Sequence, residues 1–424
     1  MIPFCKKVAL LGLFILIAMN PVSARVLTLD DCIKEAIKNH PDMIGAKGQV
    51  KVAGSNLRSS FGQFLPSLSA GISGGGLIYK GDTYKDDYRA SISSGLTLFN
   101  GGQNIFDYLG AKADKSYYEY ISSMTEQNLI YSVKTAYYAY LAAIKLDEAN
   151  REAVKRGEEQ YKLASSKYEI GSASKSDVLK AQVQYGRDKL SLLEAENLVQ
   201  TARADLAYLI GEDVNSDIDF SRDYIKRDYD GTEESALKLG LSNYPGLLAS
   251  EKRLTSAKYA SKSAWAQFFP SVDLSFGRGY SDARFSNLDG VFDGDKTGWS
   301  YGVSVSIPIF SNFRRLASVS QARVSLNNAR ADYYYERNSV ASEIKQAYLN
   351  ITKAKESLGL EEENEAAARE DLTLVQEKYN LGAATILELL DAQVSLITAQ
   401  NNKIQAEFDY NLAVARLEKA MGAK

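Results

Sequence analysis

This sequence predicts a mainly α-helical chain that also contributes strands to a transmembrane β-barrel. Three observations lead there. The chain uses one unit twice. Each unit holds stretches in which apolar and small polar residues alternate, the pattern of a strand with two unlike faces. Each unit also holds a long proline-free stretch, 103–211 and 314–424, with apolar residues at helical spacing.

The duplication shows as fixed offsets. Asn39-His40-Pro41 returns as Asn243-Tyr244-Pro245, and Phe64-Leu65-Pro66-Ser67 as Phe268-Phe269-Pro270-Ser271, both 204 residues on (41 to 245, 66 to 270). From Phe99 and Phe310 onward the offset is 211, and it holds for Gly171 with Gly382 and for Gly211 with Gly422. One step of seven residues between two constant offsets means a repeated unit with one longer loop in its second copy. Residues 1–24 then read as a signal peptide, 25–211 as the first repeat, 212–231 as a connector and 232–424 as the second repeat.

At the N-terminus, Lys6 and Lys7 precede an apolar run over 8–18, followed by Val22-Ser23-Ala24. A charged start, a short apolar core and small residues at the end make a secretory signal, with cleavage expected after Ala24. Losing the two lysines takes the formal charge from −3 to −5, which argues against nucleic acid as a partner. His40 is the only histidine, and Cys32 the only cysteine beyond the signal. Metal sites built on His and Cys, and Ser–His or Cys–His catalysis, are therefore not expected, and no cofactor is implied. No apolar run long enough to span a bilayer follows residue 24, so a bilayer would have to be entered as a barrel.

Amphipathic helices at 29–39 and 232–243 stop before Pro41 and Pro245, and Pro66 and Pro270 open matched strands. In 88–99, Tyr88, Ala90, Ile92, Leu96 and Leu98 alternate with Arg89, Ser91, Ser93 and Thr97. In 299–310, Trp299, Tyr301, Val303, Val305, Ile307 and Ile309 alternate with small or polar residues. One apolar and one small-polar face suits a strand with lipid outside and water inside, and the hairpins are expected over about 64–99 and 268–310. A soluble sheet covered on one face would alternate equally well. Tyr79, Tyr84, Tyr88, Trp299 and Tyr301 gather toward the loops, and Phe99 and Phe310 at the other ends, like aromatic girdles. Two hairpins supply four strands, whereas single-chain barrels start at about eight, so the barrel must be closed by further copies, two or three in all.

The stretches 103–168 and 313–379 would each make a helix roughly 100 Å long at about 1.5 Å per residue. Ile130-Val133-Tyr137-Tyr140-Ile144, Val340-Ile344-Ala347-Ile351-Ala354-Leu358 and Leu387-Leu390-Val394-Ile397 give coiled-coil seams. Tyr168-Glu169-Ile170-Gly171 and Tyr379-Asn380-Leu381-Gly382 end the long helices, and Ser and Thr residues after them can cap return helices. The bends near 171 and 382 are thus turns between antiparallel helices.

A signal peptide, duplicated helix–hairpin–helix units, Phe-x-Pro-Ser strand starts and Tyr-x-x-Gly bends together resemble the TolC-like outer membrane efflux protein family, over essentially the whole chain after the signal. That resemblance implies a homotrimer in which each chain gives four strands to a shared 12-stranded barrel, continued by a long coiled-coil helical tunnel. It implies the outer membrane of a Gram-negative bacterium, contact with outer-membrane lipid, and docking to a periplasmic adaptor (membrane fusion) protein and an inner-membrane pump of RND, ABC or MFS type. The expected role is the passive exit duct of a tripartite efflux or type I secretion system, gated at its periplasmic helical tip. By the same resemblance Glu388 and Asp391 would form an acidic ring at the aperture, where crowded carboxylates should raise one another's pKa. Ser176, Asp177 and Tyr379 would form a gate latch. Ile170, Gly171, Ser172, Leu381, Gly382 and Ala383 would be the tips an adaptor grips. The family's basic latch residue is missing, since Ala384 stands there, and Lys175 is a candidate substitute.

Two other classes compete. A periplasmic coiled-coil structural or adaptor protein without a membrane barrel should extract without detergent and conduct no ions. An exported enzyme using Glu388 and Asp391 as paired acids would need them in a cleft, not beside a bend on a heptad helix. No phosphate-cradling Gly-x-x-x-x-Gly-Lys-Ser/Thr motif is present, so energy for transport would have to come from a partner.

Overall fold

The two repeats fold into matching series of elements. In the first come α1 (Leu29–Asn39), α2 (Pro41–Gly62), β2 (Ser67–Ile78), β3 (Tyr84–Asn100), α3 (Gln103–Glu169) and α4 (Lys175–Leu209). In the second come α5 (Glu233–Asn243), α6 (Pro245–Ala266), β5 (Ser271–Asp282), β6 (Thr297–Ser306), α7 (Arg314–Asn380) and α8 (Ile386–Ala420). Two short parallel strands, β1 (Val26–Leu27) and β4 (Asp219–Phe220), tie the start of the chain to the connector. The structure is a computed structural model that describes residues 26–78, 84–214, 218–223, 228–282 and 297–423. The secretory segment 1–24 and the girdle residue Tyr79 lie outside the described residues.

Matching helices have equal lengths: α3 and α7 each run 67 residues, α4 and α8 each 35. Pro41 and Pro245 do more than end α1 and α5. Each stands at the first position of the next helix, where its fixed φ fits and its missing N–H is no loss.

β2, β3, β5 and β6 form one antiparallel sheet in that order. Its register sorts side chains by type. Ala70, Ile92, Arg278 and Trp299 stand abreast on one face, with Leu96, Leu274 and Val303 in line farther along. Ser69, Ser93, Gly277 and Ser300 stand abreast on the other, and the Ser69 and Ser93 hydroxyls meet at 2.8 Å. Leu68, Ile72, Phe276, Tyr301, Val303 and Val305 on the apolar face are exposed within one chain. Tyr84 lies in β3, while Trp299 and Tyr301 lie toward the loop end of β6; Phe99 and Phe310 are exposed at the opposite end. β2 and β6 are the outer strands of this sheet, so each leaves one edge for another chain.

β6 is shorter than the alternation predicts. It ends at Ser306, not Phe310, because Ser306 faces Ser271, the first residue of β5. Beyond it Pro308 has no N–H to give to a ladder.

Midway along α3 and α7, well away from the sheet, two cores form, and the first also takes in Phe408 of α8. Cys32, Val133, Tyr137, Tyr140, Leu206 and Phe220 pack in the first, and Ala236, Ile344, Tyr410, Val414 and Leu417 in the second. Burial pushes the Cys32 thiol up to about 12, which leaves it inert. The predicted seams of α3 and α7 are buried at Val133, Tyr137, Tyr140 and Ile144, and at Val340, Ile344, Ala347 and Ile351. The seam predicted for α8 needs correction. Leu387 and Val394 are exposed, and the buried line runs through Ile386, Leu389, Leu390, Gln393 and Leu396. α8 is apolar on two sides, and contact with α3 and α7 selects one of them.

Among the described residues, no helix is long and apolar enough to cross a membrane.

Candidate functional site at the paired helical bends

Both bends follow from the same local chemistry. Gly171 and Gly382 adopt φ of 77° and 76°, a left-handed conformation that glycine enters without steric penalty. The Gly171 N–H donates to the Tyr168 carbonyl at 3.0 Å, and the Ser172 N–H to the Lys167 carbonyl at 2.7 Å. In the second bend Gly382 donates to Tyr379 at 3.1 Å and Ala383 to Lys378 at 2.8 Å. These bonds satisfy the last carbonyls of α3 and α7 and turn the chain back.

The return helices start with capping boxes. The Ser174 N–H and hydroxyl donate to Asp177 Oδ2 at 3.0 and 2.8 Å, and the Asp177 N–H donates to Ser174 Oγ at 3.2 Å. In α8 the Thr385 N–H and hydroxyl donate to Glu388 Oε2 at 2.6 and 2.9 Å, and the Glu388 N–H donates back to Thr385 Oγ1 at 3.3 Å. These bonds hold both carboxyls below their usual range. For Asp177 the Ser174 hydroxyl is the main cause, and for Glu388 the Thr385 N–H. Within one chain, then, Glu388 is shifted down, opposite to the upward shift expected from carboxylates crowded across an aperture. Glu388 and Asp391 are both exposed, but Glu388 turns back onto its cap while Asp391 does not.

The latch residues are distributed unevenly. Tyr379 is buried in a cluster with Ile386, Leu389 and Leu390. Burial and then the Asp177 charge raise its phenol, which places Asp177 within electrostatic reach. Ser176 is exposed at the start of α4.

A cation that reaches the second bend from the first is Lys167, a residue the sequence reading did not single out. Its Nζ donates to the Tyr379 carbonyl at 3.2 Å and lies 4.0 Å from the centre of the Tyr379 ring. Lys175 instead sits over Tyr168 in its own bend, 5.4 Å from the ring centre. One signal was available: Lys167 and Lys378 are the same residue, 211 apart, just before the two Tyr-x-x-Gly bends. The tip residues Ile170, Gly171, Ser172, Leu381, Gly382 and Ala383 are all exposed, with Ile170 and Leu381 presenting bare apolar side chains.

Among the described residues, no group of His, Cys, Asp and Glu could hold a metal ion. The arrangement offers helix-end tips, capped carboxylates and a cation that ties two bends together.

Comparison with known proteins agrees with this architecture. A profile of the outer membrane efflux protein family matches residues 32–212 and 236–423, one match per repeat. The chain is 26% identical to the outer membrane efflux protein BepC of Brucella suis over 402 residues, 93% of this chain and 85% of that one. It is 25% identical to the outer membrane protein TolC of Vibrio cholerae over 424 residues, 97% of this chain and 95% of that one. In fold it resembles the Campylobacter jejuni CmeC outer membrane channel, with a TM-score of 0.83 at 19% identity, covering 93% of this chain and 85% of that one.

Proposed function

The chain belongs to the outer membrane efflux protein family, and from that membership we propose that it is the exit duct of a tripartite efflux or type I secretion assembly. Three copies close a 12-stranded barrel in the outer membrane, and their α3, α4, α7 and α8 helices continue it as a periplasmic tunnel. The duct is passive. A periplasmic adaptor grips Ile170, Gly171, Ser172, Leu381, Gly382 and Ala383, and an inner-membrane pump of RND, ABC or MFS type supplies the energy. Ser176, Asp177 and Tyr379 act in the latch, and Glu388 with Asp391 sets the charge at the aperture. The domain plan is the two repeats, 25–211 and 232–424, joined by the connector 212–231.

One observation carries this reading over a soluble spacer. The four-stranded sheet has one largely small-polar face and one mostly apolar face left exposed by the rest of the chain, and its two outer strands each offer an edge. A soluble sandwich would cover that apolar face. Lipid covers it in a barrel, and the serine and glycine face then lines the water-filled passage.

Reconstitution into planar bilayers tests the proposal. Discrete ion channels are the expected result, and a water-soluble monomer without conductance would overturn it.

A further inference from the structure

The tip of one chain carries the same contact surface twice, once covered and once bare. Lys167 and Tyr168 of the first bend correspond to Lys378 and Tyr379 of the second, each 211 residues on. Lys167 reaches across to Tyr379, while Lys378 is exposed. Tyr379, the receiving residue, is 7% exposed, whereas its counterpart Tyr168 is 44% exposed.

The apolar neighbours follow the same rule. Leu163, one turn before Lys167, packs into the Tyr379 cluster, and its counterpart Leu374 is 49% exposed. Leu390 on the receiving side is 8% exposed, and its counterpart Leu179 is 49% exposed. The giving face is thus covered on the first hairpin and bare on the second. The receiving face is covered at Tyr379 and Leu390 on the second and exposed at Tyr168 and Leu179 on the first.

A repeated unit that is covered on opposite faces in its two copies marks a head-to-tail contact with one partner missing. The second hairpin of one chain offers the face that the first hairpin of another lacks, so the occupant is a second copy of this chain. We propose that Lys378 of one copy grips Tyr168 of the next, its amine on the Tyr168 carbonyl and over the ring, repeating between chains the contact that Lys167 makes with Tyr379 within a chain. This rests on the ring assembly proposed above. The receiving carbonyl is suited to it: the Tyr168 carbonyl accepts one bond from Gly171, as that of Tyr379 does from Gly382, and a carbonyl has two lone pairs. The two sites differ in one respect. Lys175 already lies over Tyr168, while Ile386 holds the corresponding place at the second bend. The contact between chains is therefore the weaker clasp, and it yields first when the tip opens.

Cross-linking tests the pairing in the full chain. Cysteines replace both residues in the double variant Y168C/K378C, and a short bismaleimide is added; K167C/Y379C is the matched control, and native Cys32 is buried. Covalent oligomers from Y168C/K378C, beside an internal link within single chains of K167C/Y379C, are expected. If the control links and Y168C/K378C stays monomeric on a denaturing gel, the pairing is overturned. A wild-type protein that is monomeric by light scattering overturns the ring itself, and this contact with it. Conductance gives a second readout that does not depend on cysteine chemistry. K378M should raise open probability, by less than K167M does, and K378R should restore the wild-type value. A K378M channel that gates like wild type overturns the clasp.

Discussion

Replacing Lys167 by methionine keeps the length of the side chain and removes its charge. In the structure that charge does two things at the second bend: Nζ donates to the Tyr379 carbonyl at 3.2 Å and faces the ring at 4.0 Å. A hydrogen bond from a charged donor contributes about 1.5–3 kcal/mol when buried. A cation over an aromatic face adds about 0.5–1 kcal/mol at exposed sites and roughly 2 when desolvated. Lys167 is only half-buried, so the lower ends apply and screening reduces them further. About 1–2 kcal/mol per chain is a reasonable total, and each 1.4 kcal/mol is about tenfold in an equilibrium. K167M should therefore shift the closed-to-open ratio about five- to thirtyfold per chain, read as single-channel open probability in planar bilayers. Tyr379→Phe separates this contact from a latch through the phenol. Lys167 touches the ring and the backbone, not the hydroxyl, so Y379F should gate like wild type and Y379A should not. An unchanged K167M channel, or a Y379F channel as open as Y379A, would refute the reasoning.

Three further outcomes follow from the same geometry. Changing Glu388 and Asp391 together to alanine should raise conductance and abolish block by multivalent cations, and unchanged current and block would remove the aperture assignment. The capping boxes make the bends acid-sensitive in a defined direction. Because Asp177 and Glu388 have lowered pKa values, their contribution is complete above the ordinary carboxylate range of about 4 and fades as pH falls through the folded values. Hydrogen-exchange protection at the amides of Ser174 and Thr385, taken relative to the free-peptide rate at the same pH, should fall only at such low pH, and E388Q should remove that dependence at the second bend. Val303 and Ser304 are adjacent in β6 on opposite faces of the sheet. Lysine at 303 should cost up to about 2–4 kcal/mol against lipid and reduce heat-stable assembly, whereas lysine at 304, facing water, should be tolerated; equal losses would mean the faces are misassigned.

The local features were legible because local chemistry produces them. Duplication fixed which elements recur, Tyr-x-x-Gly marked the bends, and alternation marked the strands. Even the capping boxes are written in Ser174-x-x-Asp177 and Thr385-x-x-Glu388, although the acids there invite reading as aperture charges first. What the sequence hid was choice between equivalents. α8 has apolar residues on two sides, and nothing in Leu387-Glu388-Leu389-Leu390 says that Leu389 is buried and Leu387 exposed. Tertiary contact with α3 and α7 decides it. Lys167 was hidden for the same reason: a lysine in the last turn of a helix is ordinary complement to the helix dipole, and only the fold brings α7 beneath it.

Duplication also explains how one chain can carry two unequal bends. In a tunnel made of separate identical hairpins every contact would be the same, and opening one would favour no particular seam. Joining hairpins in pairs makes alternate contacts internal. The internal one here has Lys167 on a buried Tyr379, where Ile386 and not a second lysine follows the bend; the external one has an exposed Tyr168 already attended by Lys175. Differences between the copies can then accumulate without disturbing the shared helix lengths, since Ile386 or Lys175 after the bend serves the capped turn equally well. Such substitutions change which seam separates first while leaving the bends themselves intact. An adaptor pressing on Ile170 and Leu381 would meet that inequality directly, because those two exposed side chains sit on opposite members of each internal pair.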